Sequence, residues 1–436
     1  MVNVLFSTYY DILFCMKKQI VSALFFIGIF TILVVSLIAY ARGVRVDIKS
    51  KKLETTGLLV ATSIPDGATV FIDDHLTTAT NTTINLTPND YSVKIAKEGY
   101  LPWQKKLKIQ KEIVTKTDAL LFPSNPDLRP LSVSGAFQPL PSPDGTKIIF
   151  GVIANGQETN GFKSGLYLLE MFDRTLPLSK NTRLIVKNSP YFNFSTAKLV
   201  WSPDSKSVLA LFNNINLIDS EVISAVINPL DVQNAFLLQT DSENIVPKDI
   251  TPTLSITLET WISDFNEKYL EMVTLLPKGF QEIATQSASI LQISPDETKI
   301  LYEASDSATL AQIIKPALIG TNTQAEDRNL KKGNVYVYDI KEDKNYKIDQ
   351  KHTTRESVYR KSFWNLQWFP DSKHLIFVEK EAISILEYDN TNKSTVYAGP
   401  FEDSYVFPWP NGSKLVILTT LNKSAGTANL YSLGMK

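Results

Sequence analysis

From Ile20 to Tyr40 the chain is apolar or neutral at every position (IVSALFFIGIFTILVVSLIAY), without a single charge. As a helix rising about 1.5 Å per residue, this run would reach roughly 31 Å, enough for a hydrocarbon core about 30 Å thick. A core helix would carry a polar face, and this stretch has none. Residues 20–41 are therefore expected to form one transmembrane helix, with 1–19 as an N-terminal cytoplasmic or interfacial segment and 42–57 as a linker. Lys17, Lys18 and the small-x-small triplet Ala39-Tyr40-Ala41 also fit a cleaved signal peptide. The apolar region of a signal is usually shorter, about 7–15 residues, which favours an uncleaved anchor. Met16-Lys17-Lys18 reads as an alternative start to Met1. After residue 57 the hydrophobic period shortens to two. Leu58–Ile64, Ala68–Asp73, Tyr91–Ala96, Lys106–Gln110 and Thr115–Phe122 read as strands, punctuated by the turn Pro65-Asp66-Gly67. Residues 58–123 are expected to form a small β-sandwich with one polar face.

Four ordered submotifs of this segment resemble the PEGA domain: Pro65-Asp66-Gly67-Ala68, Val70-Phe71-Ile72-Asp73, Leu86-x-Pro88-x-x-Tyr91-x-Val93, and Lys97-x-Gly99-Tyr100. Asp66 replaces the family's Glu. Asp74 and Asn89 stand where the family usually has Gly, and both residue types tolerate a left-handed backbone. The resemblance implies a non-catalytic spacer or adhesion-like module of microbial surface proteins.

From 124 to 436 a turn followed by an apolar strand recurs five times. Pro143-Asp144-Gly145 precedes Ile148–Phe150, Pro203-Asp204-Ser205 precedes Val208–Phe212, and Pro295-Asp296-Glu297 precedes Ile300–Tyr302. Pro370-Asp371-Ser372 precedes Leu375–Val378, and Pro410-Asn411-Gly412 precedes Leu415–Leu418. A Lys follows each turn, a Trp precedes three of them, and a second apolar strand follows most. Tight hairpins with doubly buried strands are what stacked four-stranded sheets require. The pattern Trp-Ser-Pro-Asp-Gly/Ser-x-Lys is similar to that of TolB-like, WD-type β-propellers, which implies a propeller over 124–436. At about 40–45 residues per blade the length gives about six blades, with five or seven also open. Between the second and third copies, Leu258, Trp261, Ile262, Phe265, Tyr269, Met272, Val273 and Leu276 share one helical face. This predicts an amphipathic helical insertion at about 255–287, with Glu259, Asp264, Glu267, Lys268 and Glu271 mostly elsewhere and Pro277-Lys278-Gly279 as its stop. The fold class is thus mainly β, with one N-terminal helix.

Composition narrows the chemistry. Lys plus Arg is 44 and Asp plus Glu is 45, a net charge of −1, which gives no electrostatic footing for nucleic acid. One Cys and three His (His75, His352, His374) exclude a disulfide framework and leave little for a metal centre. No phosphate-cradling loop, zinc-protease helix or nucleophile elbow occurs. The recurring Asp144, Asp204, Asp296 and Asp371 follow the turn and are read as turn residues. Asp339–Asp343 lacks the spacing of a calcium loop. No catalytic, cofactor-binding or metal residue is assigned, and no cofactor is expected. The expected function is a non-enzymatic, membrane-anchored cell-surface protein whose propeller binds a protein or glycan partner. A propeller hydrolase of the envelope and a purely structural envelope component are the alternatives. The bulk of the chain is expected outside the cytoplasmic membrane, against the basic residues Arg42, Arg45, Lys49, Lys51 and Lys52, which by themselves favour the inside.

Overall fold

The computed structural model describes residues 22–38, 44–47, 52–153, 163–173, 181–213, 228–349, 365–402, 405–421 and 427–436. Residues 22–38 are helical, and their large apolar side chains, such as Phe26, Phe30 and Ile32, are exposed. At 1.5 Å per residue this helix covers about 25 Å. Among the described residues no helix is long and apolar enough to cross a membrane. The ends of the expected span, and with them Met16, Lys17 and Ala41, lie outside the described residues. The expected linker holds a hairpin instead: Val44–Asp47 pairs antiparallel with Lys52–Thr55. Val44–Asp47 alternates apolar and polar residues and Lys52–Thr55 has only Leu53 apolar, a pattern too short to stand out.

The chain divides into two compact units. The first comprises Met1–Ile95, Gln104–Leu120 and Ile319–Thr323; the second comprises Ala96–Trp103, Leu121–Leu318 and Gln324–Lys436. In the small β domain, one sheet orders Thr82–Leu86, Gly57–Ile64 and Val114–Leu120, the last pair parallel. The other orders His75–Ala79, Thr69–Ile72, Asn89–Ala96 and Trp103–Ile109. Gly57–Ile64 alternates buried and half-buried positions, and Leu59, Ala61, Val70, Val93 and Ile95 are fully buried. Two strands, His75–Ala79 and Thr82–Leu86, escape the sequence reading because they are exposed edges rich in Thr. Asp73 and Asp74 adopt positive φ (48° and 62°), as a turn without Gly demands. Asn89 does not; it opens a strand.

The second unit contains five four-stranded antiparallel sheets. Blades 1 to 4 take their strands, a to d, from 137–187, 198–249, 288–348 and 366–398. Blade 5 takes a, b and c from Val406–Pro408, Lys414–Thr419 and Asn429–Gly434. Its fourth strand is Leu128–Pro130, from the other end of the unit. Buried clusters join blade 5 to blade 1, blade 1 to blade 2, and blade 3 to blade 4. Between a-strands, Gln367 Nε2 donates to Val406 O (2.8 Å), linking blade 4 to blade 5. Between blades 2 and 3 stand two helices, α1 (Leu254–Leu275) and α2 (Lys278–Gln286). Leu254 and Leu258 pack on blade 2, and Phe280 and Ala284 on blade 3. The order therefore returns on itself as five blades and one helical pair.

Six blades were expected from length; five are present among the described residues. The surplus residues lie in connections rather than in a sixth four-stranded sheet; the excursion 305–334 within blade 3 holds a two-stranded pair, Ala308–Thr309 with Asn329–Leu330. The helical insertion stands where it was expected, but as two helices. Pro277 ends α1, Gln281 Nε2 donates to the free carbonyls of Thr274 and Leu276, and Lys278–Gln286 resumes as α2.

Candidate functional site

Each repeated turn is built by the same bonds. The residue opening the turn donates its N–H to the carbonyl five residues on: Ser142 to Lys147, Ser202 to Ser207, Ser294 to Lys299, Phe369 to His374, Trp409 to Lys414. The residue after Asp or Asn is left-handed in all five copies: Gly145 (φ 68°), Ser205 (58°), Glu297 (58°), Ser372 (60°) and Gly412 (67°). Ser142, Ser202 and Ser294 donate through Oγ to the Oδ1 of Asp144, Asp204 and Asp296, at 2.5, 2.6 and 2.7 Å. The bond from Ser202, with the Lys206 N–H, holds Asp204 below the ordinary carboxylate range. At Asp144 and Asp296 burial opposes ionisation, but hydrogen bonds from the turn and the nearby Lys outweigh it, and both are lowered. Asp371 is also lowered: its burial is outweighed by His374, whose Nδ1 lies 2.6 Å from Oδ2. These carboxylates are occupied in folding their own turns.

The turns also tie neighbouring blades. Asp144 N donates to Ser205 Oγ (3.1 Å), Lys147 Nζ to Ser205 O (2.9 Å), and Asp296 N to Ser372 Oγ (3.0 Å). The recurring Lys was placed on a polar flank by the sequence, and Lys299 departs from that. It is buried beside Asp339 (3.6 Å) and over the Tyr388 ring. In a meander a-b-c-d, the a–b and c–d connections leave one end of the sheet and the b–c and d–a connections leave the other. Every a–b connection is the same tight turn. The longest connections, 213–233, 250–287, 305–334 and 349–365, all belong to the b–c and d–a class.

Blade 2 differs at its turn. A cavity of about 530 Å³ opens between Ser202–Asp204 and α1, lined also by Leu237, Trp261, Asp264, Glu267, Lys268 and Glu271. Lys268 Nζ crosses to Pro203 O (2.8 Å). The sequence reading set most of these charges away from the apolar face. The spacing of Trp261, Asp264, Lys268 and Glu271, 3, 4 and 3, in fact puts them on one stripe, and that signal was available. Among the described residues no cluster of three or more His, Cys, Asp or Glu could hold a metal ion. His352 lies outside them, and His75 and His374 are in different units.

Comparison with known proteins identifies the small β domain. Residues 56–125 match the PEGA domain. The match extends the expected 58–123 by two residues at each end. No curated protein matches the chain. Among solved structures, the chain is similar to TolB from Acinetobacter baumannii, at 14% identity over 79% of this chain and 60% of that one, with a TM-score of 0.21. It is also similar to the β-propeller domain of Myceliophteria thermophila Cps50 (Swd1), at 8% identity over 71% of this chain and all of that one, with a TM-score of 0.29. The blade assignment here rests on strand order and pairing.

Proposed function

We propose that the chain is an anchored binding protein of the cell envelope, in which the blades present a docking face and the PEGA domain acts as a spacer. The observation that carries this reading is the asymmetry of the blade connections. One end of the sheets carries the five tight a–b turns, each bonded to itself, whereas the four longest connections all leave the other end. Binding residues concentrate on such loops when a rigid scaffold positions them. A protein or glycan partner is the ligand class that a broad loop-bearing face suits, and no enzymatic role is proposed. The exposed apolar helix at 22–38 supports anchoring, and the proposal sets the bulk of the chain outside the cytoplasmic membrane.

The test has two parts. Protease added to intact spheroplasts should degrade the C-terminal bulk, with a cytoplasmic protein as leakage control; protection until lysis would overturn the location. Affinity capture of the tagged full chain from detergent-solubilised membranes, before and after polysaccharide digestion, should then yield a stoichiometric protein or a glycan. Shortening the 305–334 connection between its buried anchors Leu310 and Leu330 should abolish that capture. Capture of nothing, or capture insensitive to the loop, would sink the binding role and leave a structural envelope component.

A further inference from the structure

The seam between blades 2 and 3 is built differently from the others. At three seams sheet lies directly on sheet in a buried cluster. Here α1 intervenes, and only Leu254 and Leu258 of its length are buried. The next buried residue is Leu276, just past its end, which packs with Phe280 on blade 3. Between these two apolar anchors Trp261, Ile262, Phe265, Met272 and Val273 are only half-buried, and Tyr269 and Leu270 are exposed. The cavity of about 530 Å³ lies beneath this stretch, against the blade 2 turn. Lys268 Nζ on Pro203 O spans it. At two other seams the a–b turn is bonded by a left-handed Ser of the following blade: Asp144 N donates to Ser205 Oγ and Asp296 N to Ser372 Oγ. At blade 2 a flexible Lys takes that place.

We propose that α1 is a latched strap. It is hinged near Leu258 and Leu276, held down by the Lys268–Pro203 bond, and opens over the blade 2–blade 3 seam while the blades stay folded. A segment that buries little apolar surface opens at low free energy, independently of global unfolding. Closure is favoured by one charge-assisted bond and by the partial burial of Trp261 and Phe265; opening admits water or a ligand to the cavity.

Hydrogen exchange of the full chain, read by mass spectrometry, decides this. In the native protein, amides of 259–273 should exchange at least roughly tenfold faster than those of the blade 2 strand Ser207–Phe212. In Lys268→Met the exchange of 259–273 should rise roughly three- to tenfold further, with the strand unchanged. Equal protection of helix and strand would overturn the strap. So would a K268M variant in which α1 does not change, or in which α1 and the strand accelerate together, since Lys268 would then not latch the helix separately from the fold.

Discussion

Glu297 occupies the turn position that is Gly in blades 1 and 5 and Ser in blades 2 and 4, at φ 58°. A side chain there costs about 1–2 kcal/mol relative to Gly, partly offset by the greater freedom of Gly in the unfolded chain. Glu297→Gly should therefore stabilise the protein by about 0.5–1 kcal/mol. Denaturant unfolding should show a raised midpoint with an unchanged slope; a lowered midpoint would mean that Glu297 makes a contribution the backbone does not explain. Ser205→Gly should not share the gain, because Ser205 Oγ accepts the Asp144 N–H from the neighbouring blade. The turn carboxylates make a second prediction. Asp144, Asp204, Asp296 and Asp371 have lowered pKa values in the fold, so the unfolded chain binds their protons first as pH falls. Their contribution is present above about pH 4 and is lost as pH drops through the lower, folded values. Thermal melts from pH 6 to 3 should show this decline, and it should be shallower in Asp204→Asn. An equal slope in that variant would remove Asp204 from the effect.

At the scale of elements, α2 contributes more to the core than the longer α1. Phe280 is fully buried, stacked on Tyr338 at 4.5 Å and edge-on to Tyr302 at 5.3 Å. Phe280→Ala should cost about 3–5 kcal/mol, read from chemical denaturation. Phe265→Asp, on the face the sequence marks as packed, should cost under about 1.5 kcal/mol because Phe265 is only half-buried. The reverse ranking would mean that α1, not α2, carries the seam. The contrast shows what the pattern could and could not reveal. A 3.6-residue period fixes which side chains share a face, but not whether another element covers that face. Pro277 marked the end of α1 correctly, whereas Lys278–Gln286 offers too short a period to announce α2. Likewise the five Pro-Asp/Asn turns were legible because each blade needs that hairpin. The Thr-rich edges of the PEGA domain were not, because His75–Ala79 is exposed at nearly every position and Thr82–Leu86 offers only Ile84 and Leu86 as alternating apolar residues. The cavity under α1 could be read only in part: its helical stripe is in the spacing, but the approach of Pro203 is a tertiary fact.

For the blade-bearing unit as a whole, integrity depends on residues distant in sequence. A fragment starting near Ser124 would keep all five sheets but lose part of the unit. Phe122 lies edge-on to Phe369 and His374, and Trp103 Nε1 donates to Glu387. The sequence-based boundary at 124 therefore cuts inside the folded unit. Closure itself is made by a three-residue strand, Leu128–Pro130, antiparallel to the end of the chain, with Arg129 opposite Ser432. Asn429 Oδ1 reinforces it by accepting from Gly135 N and Ser132 Oγ. Directly opposed antiparallel residues lie about 4.5–5.5 Å apart at Cα, within disulfide range. Arg129→Cys with Ser432→Cys should therefore oxidise readily, and Cys15 is the only native thiol that could compete. Tying a loop of some three hundred residues has an entropic upper bound of about 6 kcal/mol, with engineered bridges commonly falling short. The oxidised double variant should unfold at a higher denaturant midpoint than its reduced form, whereas wild type should be indifferent to reductant. If the bridge forms and the midpoint does not rise, the 128–130 strand is not what keeps blade 5 joined to the start of the unit.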